Sequence, residues 1–255
     1  MRVCAVQMDT VWEDKGANMP LCREFARRAA GKCDLLVFPE LSLTGFSMNK
    51  TLAEPPNGET ERFFCALSRE YGIAVAYGFA CSEGGRITNR LCVSEGGRTV
   101  ARYDKLHPFS YGGEIFSAGD RVAFTEVAGM RLGLAVCYDL RFPELFSRLS
   151  RECGAIVVIA NWPEKRRDHW LALLKARAIE NQCYIVGCNR TGAGGGLCYS
   201  GDSAVFSPTG ELISGAPPNE ESLVFAELSQ EVVSRAREEF PVSADRRPSL
   251  YREFY

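Results

Sequence analysis

Residues 131–144 read RLGLAVCYDLRFPE. An apolar run reaches Cys137 and gives way at once to charge, with Asp139, Arg141 and Glu144 behind it. A short apolar run bounded in this way is a buried strand of a sheet. The stretch therefore predicts a strand that ends on a cysteine and leaves the core abruptly. Such a cysteine is usually a small packed hydrophobe; the charged residues that follow it fit that role poorly.

The segments on either side repeat the pattern. RVCAVQM (2–8) reads as a strand, residues 15–31 as a helix, DLLVFPE (34–40) as a strand ending at Pro39-Glu40, residues 60–71 as a helix and GIAVAYGFA (72–80) as a strand. RITNRLCVSEGGRTVARYDK (86–105) alternates about a glycine turn, as a hairpin does. After Cys137 the same plan returns: a helix over 144–152, the strand GAIVVIAN (154–161), a long helix over 164–182, the strand YIVGCN (184–189), and the hairpin pattern GDSAVFSPTGELISGAP (201–217). Strands alternating with helices define an α/β protein. Two similar halves, each a mixed sheet with two helices, predict two sheets face to face with helices outside, a four-layer αββα sandwich. No Pro- or Ser-rich linker divides the chain, so residues 1–255 are expected to form one domain. In PEKRRDHWLALLKARAIENQ (163–182), Trp170, Leu171, Leu174, Ala178 and Ile179 share one stripe, a core face or part of a subunit interface.

Composition narrows the function. With 46% apolar and 24% charged residues and a net charge of −2, the chain is ordinary for a soluble protein and carries no basic stripe for nucleic acid or an anionic membrane. The apolar runs are too short to span a bilayer. The opening MRVCAVQMD meets an acid by position 9 and has no signal-peptide core, so a cytoplasmic location is expected. The eleven cysteines are odd in number and form no CxxC pair, which argues against a zinc site or a disulfide scaffold. Most are expected to be reduced and packed. GAGGG (192–196) lacks the ending of a phosphate-binding loop and reads as a flexible turn.

A nucleophilic cysteine needs a base, because a free thiol of pKa about 8.5 is mostly protonated at neutral pH. The chain holds two histidines. His169 falls inside the long helix, and His107, beside Pro108, is a weak candidate. Pro143 stands six places after Cys137, where a cysteine phosphatase would need arginine. Stronger candidates end strands: Glu40 after DLLVFP, Lys105 after RTVARYD, and Cys137 itself. A buried carboxylate is costly unless paired, and an ammonium is its natural partner. Taken singly, each could be packing or a surface terminus; strand ends of an α/β sheet are also where sites form.

VFPELSLTGF (37–46), YDKLHPF (103–109) and VCYDLRFPE (136–144) resemble, in order and spacing, the three signature blocks of the nitrilase (carbon–nitrogen hydrolase) superfamily. NWPEKRRDHWLALLKARAIENQCYIVGCNRTG (161–192) and YSGDSAVFSPTGE (199–211) resemble its later blocks, so the likeness covers nearly the whole chain. The resemblance implies the αββα fold, a Glu40-Lys105-Cys137 triad, and Glu114, in YGGEIFSAGD (111–120), as a second glutamate that orients the lysine and the substrate amide. It implies hydrolysis through a cysteine thioester, with the oxyanion held by Lys105 and the Tyr138 backbone N–H, and without metal or organic cofactor.

Within the superfamily, CYDLRFPE, ANWP and GCNRTG most resemble the omega-amidase branch, whose substrates are short dicarboxylic monoamides such as 2-oxoglutaramate. Such a substrate needs a cation near the pocket. Arg141 is either that cation or an ion-pair partner of Glu144. Asn161 and Trp162 line the pocket, or Trp162 caps the core; Phe46 and Phe109 are pocket walls or ordinary packing. An N-carbamoyl amidohydrolase would keep the same triad, and an inactive family member would serve as an interaction protein. Tyr138, where nitrilases carry tryptophan, counts against a nitrile substrate. The resemblance also implies a homodimer built on helices after Cys137, with the tail FPVSADRRPSLYREFY (240–255) lying across a surface.

Overall fold

The computed structural model describes residues 1–110 and 113–253. Tyr111 and Gly112 of the glycine-rich loop, and Phe254 and Tyr255 at the end of the aromatic tail, lie outside the described residues. The first half runs β1 (Arg2–Gln7), α1 (Lys15–Ala29), β2 (Leu35–Val37), α2 (Glu59–Tyr71), β3 (Ala74–Glu83), β4 (Arg86–Glu95) and β5 (Arg98–Asp104). The second runs β6 (Phe124–Val127), β7 (Met130–Val136), α3 (Pro143–Leu149), β8 (Ala155–Ala160), α4 (Arg167–Asn181), β9 (Tyr184–Asn189), the hairpin β10 (Thr191–Gly194) and β11 (Leu197–Ser200), then β12 (Ala204–Phe206) and β13 (Leu212–Gly215). β14 (Ser222–Glu227), α5 (Gln230–Glu239) and the short α6 (Pro248–Tyr251) follow.

Two six-stranded mixed sheets result, in the orders β14-β1-β2-β3-β4-β5 and β6-β7-β8-β9-β12-β13. In each, three parallel strands (β1, β2, β3 and β7, β8, β9) are followed by an antiparallel pair and preceded by one antiparallel edge strand. The halves therefore match position for position, with one exchange: β14, from the end of the chain, completes the first sheet beside β1.

The layering follows from strands buried on both faces. Ala5, Val37, Ala76 and Val93 of the first sheet meet Leu132, Leu134 and Val158 of the second in one core. Cys4, Leu36, Val75 and Tyr77 pack on the other side against Cys22, Phe25, Phe64 and Leu67 of α1 and α2. Phe146, Trp170, Leu174 and Ala178 cover the second sheet from α3 and α4. Gly187 permits this approach, since a Cβ there would lie 2.6 Å from Leu174 and 2.9 Å from Trp170. The sandwich is the expected one.

Local readings need three adjustments. On α4 the buried stripe is Trp170, Leu174 and Ala178, while Leu171 is half-buried and Ile179 is 48% exposed. Arg177 takes an inward position instead, because its Nε donates to the Leu140 carbonyl at 3.0 Å. The glycine run 192–196 is a hairpin, not a loose turn: Gly192 and Gly194 lie in β10, and Gly194 and Gly195 pack where a Cβ would strike Trp12 at 2.7 and 2.4 Å. The third concerns the strand before Glu40, which stops at Val37 and leaves Pro39 to turn the chain. All eleven cysteines are free thiols, ten of them at least partly buried and Cys198 exposed. Among the described residues no helix is long and apolar enough to cross a membrane.

Candidate active site

The parallel strands deliver the site. β2, β7 and β8 end at the same edge of the sandwich, and the chain beyond them carries Glu40, Cys137 and Asn161. Lys105 follows β5, where its backbone N–H continues the ladder to the Asn89 carbonyl at 2.9 Å. Cys137 lies where β7 breaks into a 3-10 turn over Cys137–Arg141, with φ 47°, a left-handed conformation that only surrounding contacts sustain in a non-glycine residue.

Those contacts centre on Asp139. Its Oδ2 accepts the Val136 N–H at 2.9 Å and the Tyr103 hydroxyl at 2.7 Å, and its Oδ1 accepts the His107 N–H at 3.1 Å. His107 Nδ1 faces the same Oδ1 at 2.7 Å, and its ring stacks on Phe142 at 3.8 Å. His107 thus braces the turn and is not a partner of the thiol. His169 is exposed on α4.

Glu40, Lys105, Glu114 and Cys137 come together as one buried group. Lys105 Nζ donates to Glu40 Oε1 at 3.2 Å and to Glu114 Oε2 at 2.9 Å. Glu40 Oε1 also accepts Asn89 Nδ2 at 2.7 Å, and Oε2 accepts the Asn161 N–H at 2.8 Å. The Asn161 side chain donates in turn to the Glu40 carbonyl at 2.5 Å. Gly78 makes room for this turn: a Cβ there would sit 2.7 Å from the Leu41 nitrogen and 3.2 Å from Glu40 Cα.

Electrostatics sets the resting protonation. Burial pushes the Cys137 thiol well above its ordinary pKa, the Glu40 charge pushes it further, and Lys105 only partly opposes them. Burial works against a charged Lys105, but Glu40, Cys137 and Glu114 outweigh it and hold the ammonium on. Burial also raises Glu114, against the pull of Lys105. The cluster is therefore a neutral thiol beside an ammonium held between two acids. It can transfer an acyl group: sulfur attacks, a carboxylate takes the proton, and the ammonium meets a developing oxyanion.

The thiol and Lys105 open into a cavity of about 400 Å³ whose walls include Phe46, Phe109, Tyr138, Arg141, Asn161 and Trp162. All the residues expected at the pocket thus reach it. Trp162 has both roles weighed for it, since its ring also packs 5.5 Å from Trp170. Arg141 makes no ion pair with Glu144; its guanidinium lies 4.7 Å over the Trp162 ring and 5.9 Å over Tyr138. Asn89, Asp139 and Arg166 are site residues that sequence reasoning missed. A polar Asn89 among the apolar residues of a strand was the one legible signal; Arg166, which also lines the cavity, lies in a run of three basic residues that singles out none of them. Among the described residues no group of three or more His, Cys, Asp or Glu is arranged to hold a metal ion.

A sandwich of this kind, with a thiol, a lysine and a glutamate just beyond its strands and a second glutamate from the loop after β5, is the architecture of a carbon–nitrogen hydrolase. Residues 2–238 match the carbon-nitrogen hydrolase family, and the chain belongs to it. Over 250 residues it is 36% identical to the omega-amidase YafV of Escherichia coli K12, covering 96% of each chain. It is 29% identical to the 2-oxoglutaramate amidase of Bacillus subtilis, covering 98% of each. A CN-hydrolase superfamily protein of Xanthomonas campestris, solved with an arsenic adduct in its active site, superposes with a TM-score of 0.91 at 32% identity over 97% of both chains.

Proposed function

We propose that the protein is an omega-amidase, releasing ammonia from the terminal amide of short dicarboxylic monoamides such as 2-oxoglutaramate. The observation that carries this is the pairing, within one cavity, of the Cys137 thiol and Lys105 with the guanidinium of Arg141, which has no carboxylate partner among the described residues. An amide that also bears a carboxylate meets both ends of that arrangement. The names of the two amidase relatives support the same reading.

In the reaction, Cys137 Sγ attacks the amide carbon and its proton passes to Glu40. Lys105 Nζ and the Tyr138 N–H hold the oxyanion, each donor contributing roughly 2.7–4 kcal/mol to the transition state. Glu114 fixes Lys105 with one oxygen, and its Oε1, buried and unbonded among the described residues, is left to accept the substrate amide. The intermediate collapses with transfer of the proton from Glu40 to nitrogen, and ammonia leaves a thioester. Water then attacks the thioester, Glu40 takes its proton, and the acid is released as the thiol is restored. Asn161 and Trp162 position Glu40 and the pocket wall.

This reading treats residues 1–255 as one catalytic domain, supported by the core the two sheets share. It also includes a homodimer packed through α3 and α4, and a cytoplasmic site of action, supported by the unpaired thiols. The test is ammonia release from 2-oxoglutaramate beside succinamate, glutamine, N-carbamoyl-β-alanine and a simple nitrile. Preference for the monoamides of dicarboxylic acids is expected. Turnover confined to the carbamoyl compound would overturn the substrate while leaving the chemistry. A monomer by light scattering would remove the dimer.

A further inference from the structure

The cavity wall holds a second cation. Arg166 ends the 3-10 turn before α4 and lines the same space as Cys137, Lys105 and Arg141. Its neighbour Arg167 is committed elsewhere, with Nε and Nη2 each 2.8 Å from Asp202. The Arg166 guanidinium has no carboxylate within ion-pair distance among the described residues, and lies 5.5 Å over the Phe109 ring. Its backbone is held firmly: the carbonyl accepts Trp162 Nε1 at 2.8 Å and the N–H donates to the Pro163 carbonyl at 3.0 Å. The same Trp162 ring carries Arg141, whose Nη2 stands 3.3 Å from His169 Nδ1. One indole thus touches both arginines, Arg141 at its guanidinium and Arg166 at its backbone carbonyl.

Two like charges facing a largely apolar cavity repel, and the repulsion registers on Arg141, which burial and then the Arg166 charge hold below the usual arginine range. An anion entering the cavity relieves both burdens at once. A carboxylate has two oxygens and about four lone-pair sites, enough for two guanidinium forks. Lys105 cannot serve this end, because two of its three N–H donors go to Glu40 and Glu114 and the third is assigned to the oxyanion.

We propose that Arg166 is the second arm of an anion clamp, which with Arg141 holds the substrate's distal carboxylate and sets the preference for acidic over neutral amides. The inference rests on the omega-amidase reading above and assigns its specificity to a particular pair.

The test compares succinamate with 4-oxopentanamide, in which a methyl ketone replaces the carboxylate, in the wild type, Arg166→Gln and Arg166→Lys. The quantity read is the ratio of kcat/KM for the acidic amide to that for the neutral one. A fall in this ratio of at least about tenfold is expected in Arg166→Gln, carried mainly by KM, as loss of one charge-assisted contact implies. Arg166→Lys keeps the charge without the fork and should recover part of it. A wild type that prefers succinamate while Arg166→Gln keeps the same ratio overturns this inference alone. A wild type without that preference overturns the substrate reading and the clamp together.

Discussion

Glu40 and Asn161 occupy equivalent places in the two halves of the protein, each following the middle of three parallel strands, and they are joined by two hydrogen bonds. The Asn161 N–H fixes one carboxylate oxygen at 2.8 Å while its side chain holds the Glu40 carbonyl at 2.5 Å. The internal repeat thus has a chemical consequence: one half supplies the acid and the other its orientation. Removing the Asn161 side chain leaves a buried carbonyl without its donor, at a cost of about 1–3 kcal/mol. Asn161→Ala should therefore lower the Tm and reduce kcat several-fold, because the Glu40 backbone loses its side-chain tether while the carboxylate keeps the Asn161 N–H, Asn89 and Lys105. Thermal melts and steady-state kinetics check this; unchanged kcat would separate Asn161 from the chemistry.

Gly78→Ala tests the same turn from the other side. The new methyl would lie 2.7 Å from the Leu41 nitrogen and 2.9 Å from Ile159 Cδ1. Backbone is among the atoms struck, so relief requires the Glu40 turn to move. A loss of roughly 1–3 kcal/mol of stability is expected, with activity falling further than stability. Wild-type turnover in a destabilised variant would refute the link.

Cys137→Ala should fold with nearly unchanged stability, since a methyl suits the apolar end of β7, and should lose turnover by more than about a thousandfold. In the wild type the raised thiol pKa leaves little resting thiolate. Alkylation of Cys137 by iodoacetamide should consequently climb from pH 6 to pH 9 without a plateau. A plateau below pH 7, the mark of a preformed thiolate, would contradict a neutral thiol paired with Glu40.

Alkali should destabilise the fold through its buried thiols. Burial holds Cys81 up to about 11 and Cys153 up to about 12, and raises Cys22, Cys92, Cys183 and Cys188 as well. Folded values lie above unfolded ones, so this stability is complete below about pH 8.5 and is lost as pH rises toward the folded values. Each thiol contributes a loss of about 1.4 kcal/mol per pH unit in that window. Denaturant unfolding at pH 7, 8, 9 and 10 should show a flat region and then a steep fall; a stability constant to pH 10 would contradict it.

Strand and helix order was legible because it rests on local periodicity, as in RLGLAVC, GAIVVIAN and YIVGCN. Glu40, Lys105 and Cys137 stood out for a related reason: each is a reactive group placed where an apolar run stops. Tertiary structure decided the rest. It set β14 beside β1, turned His107 away to Asp139, committed Arg167 to Asp202 while leaving Arg166 to the cavity, and joined Asn161 to Glu40 across 121 residues. Periodicity says which face of an element is buried, but these partners are chosen by how two separately twisted sheets pack, and no local spacing encodes that.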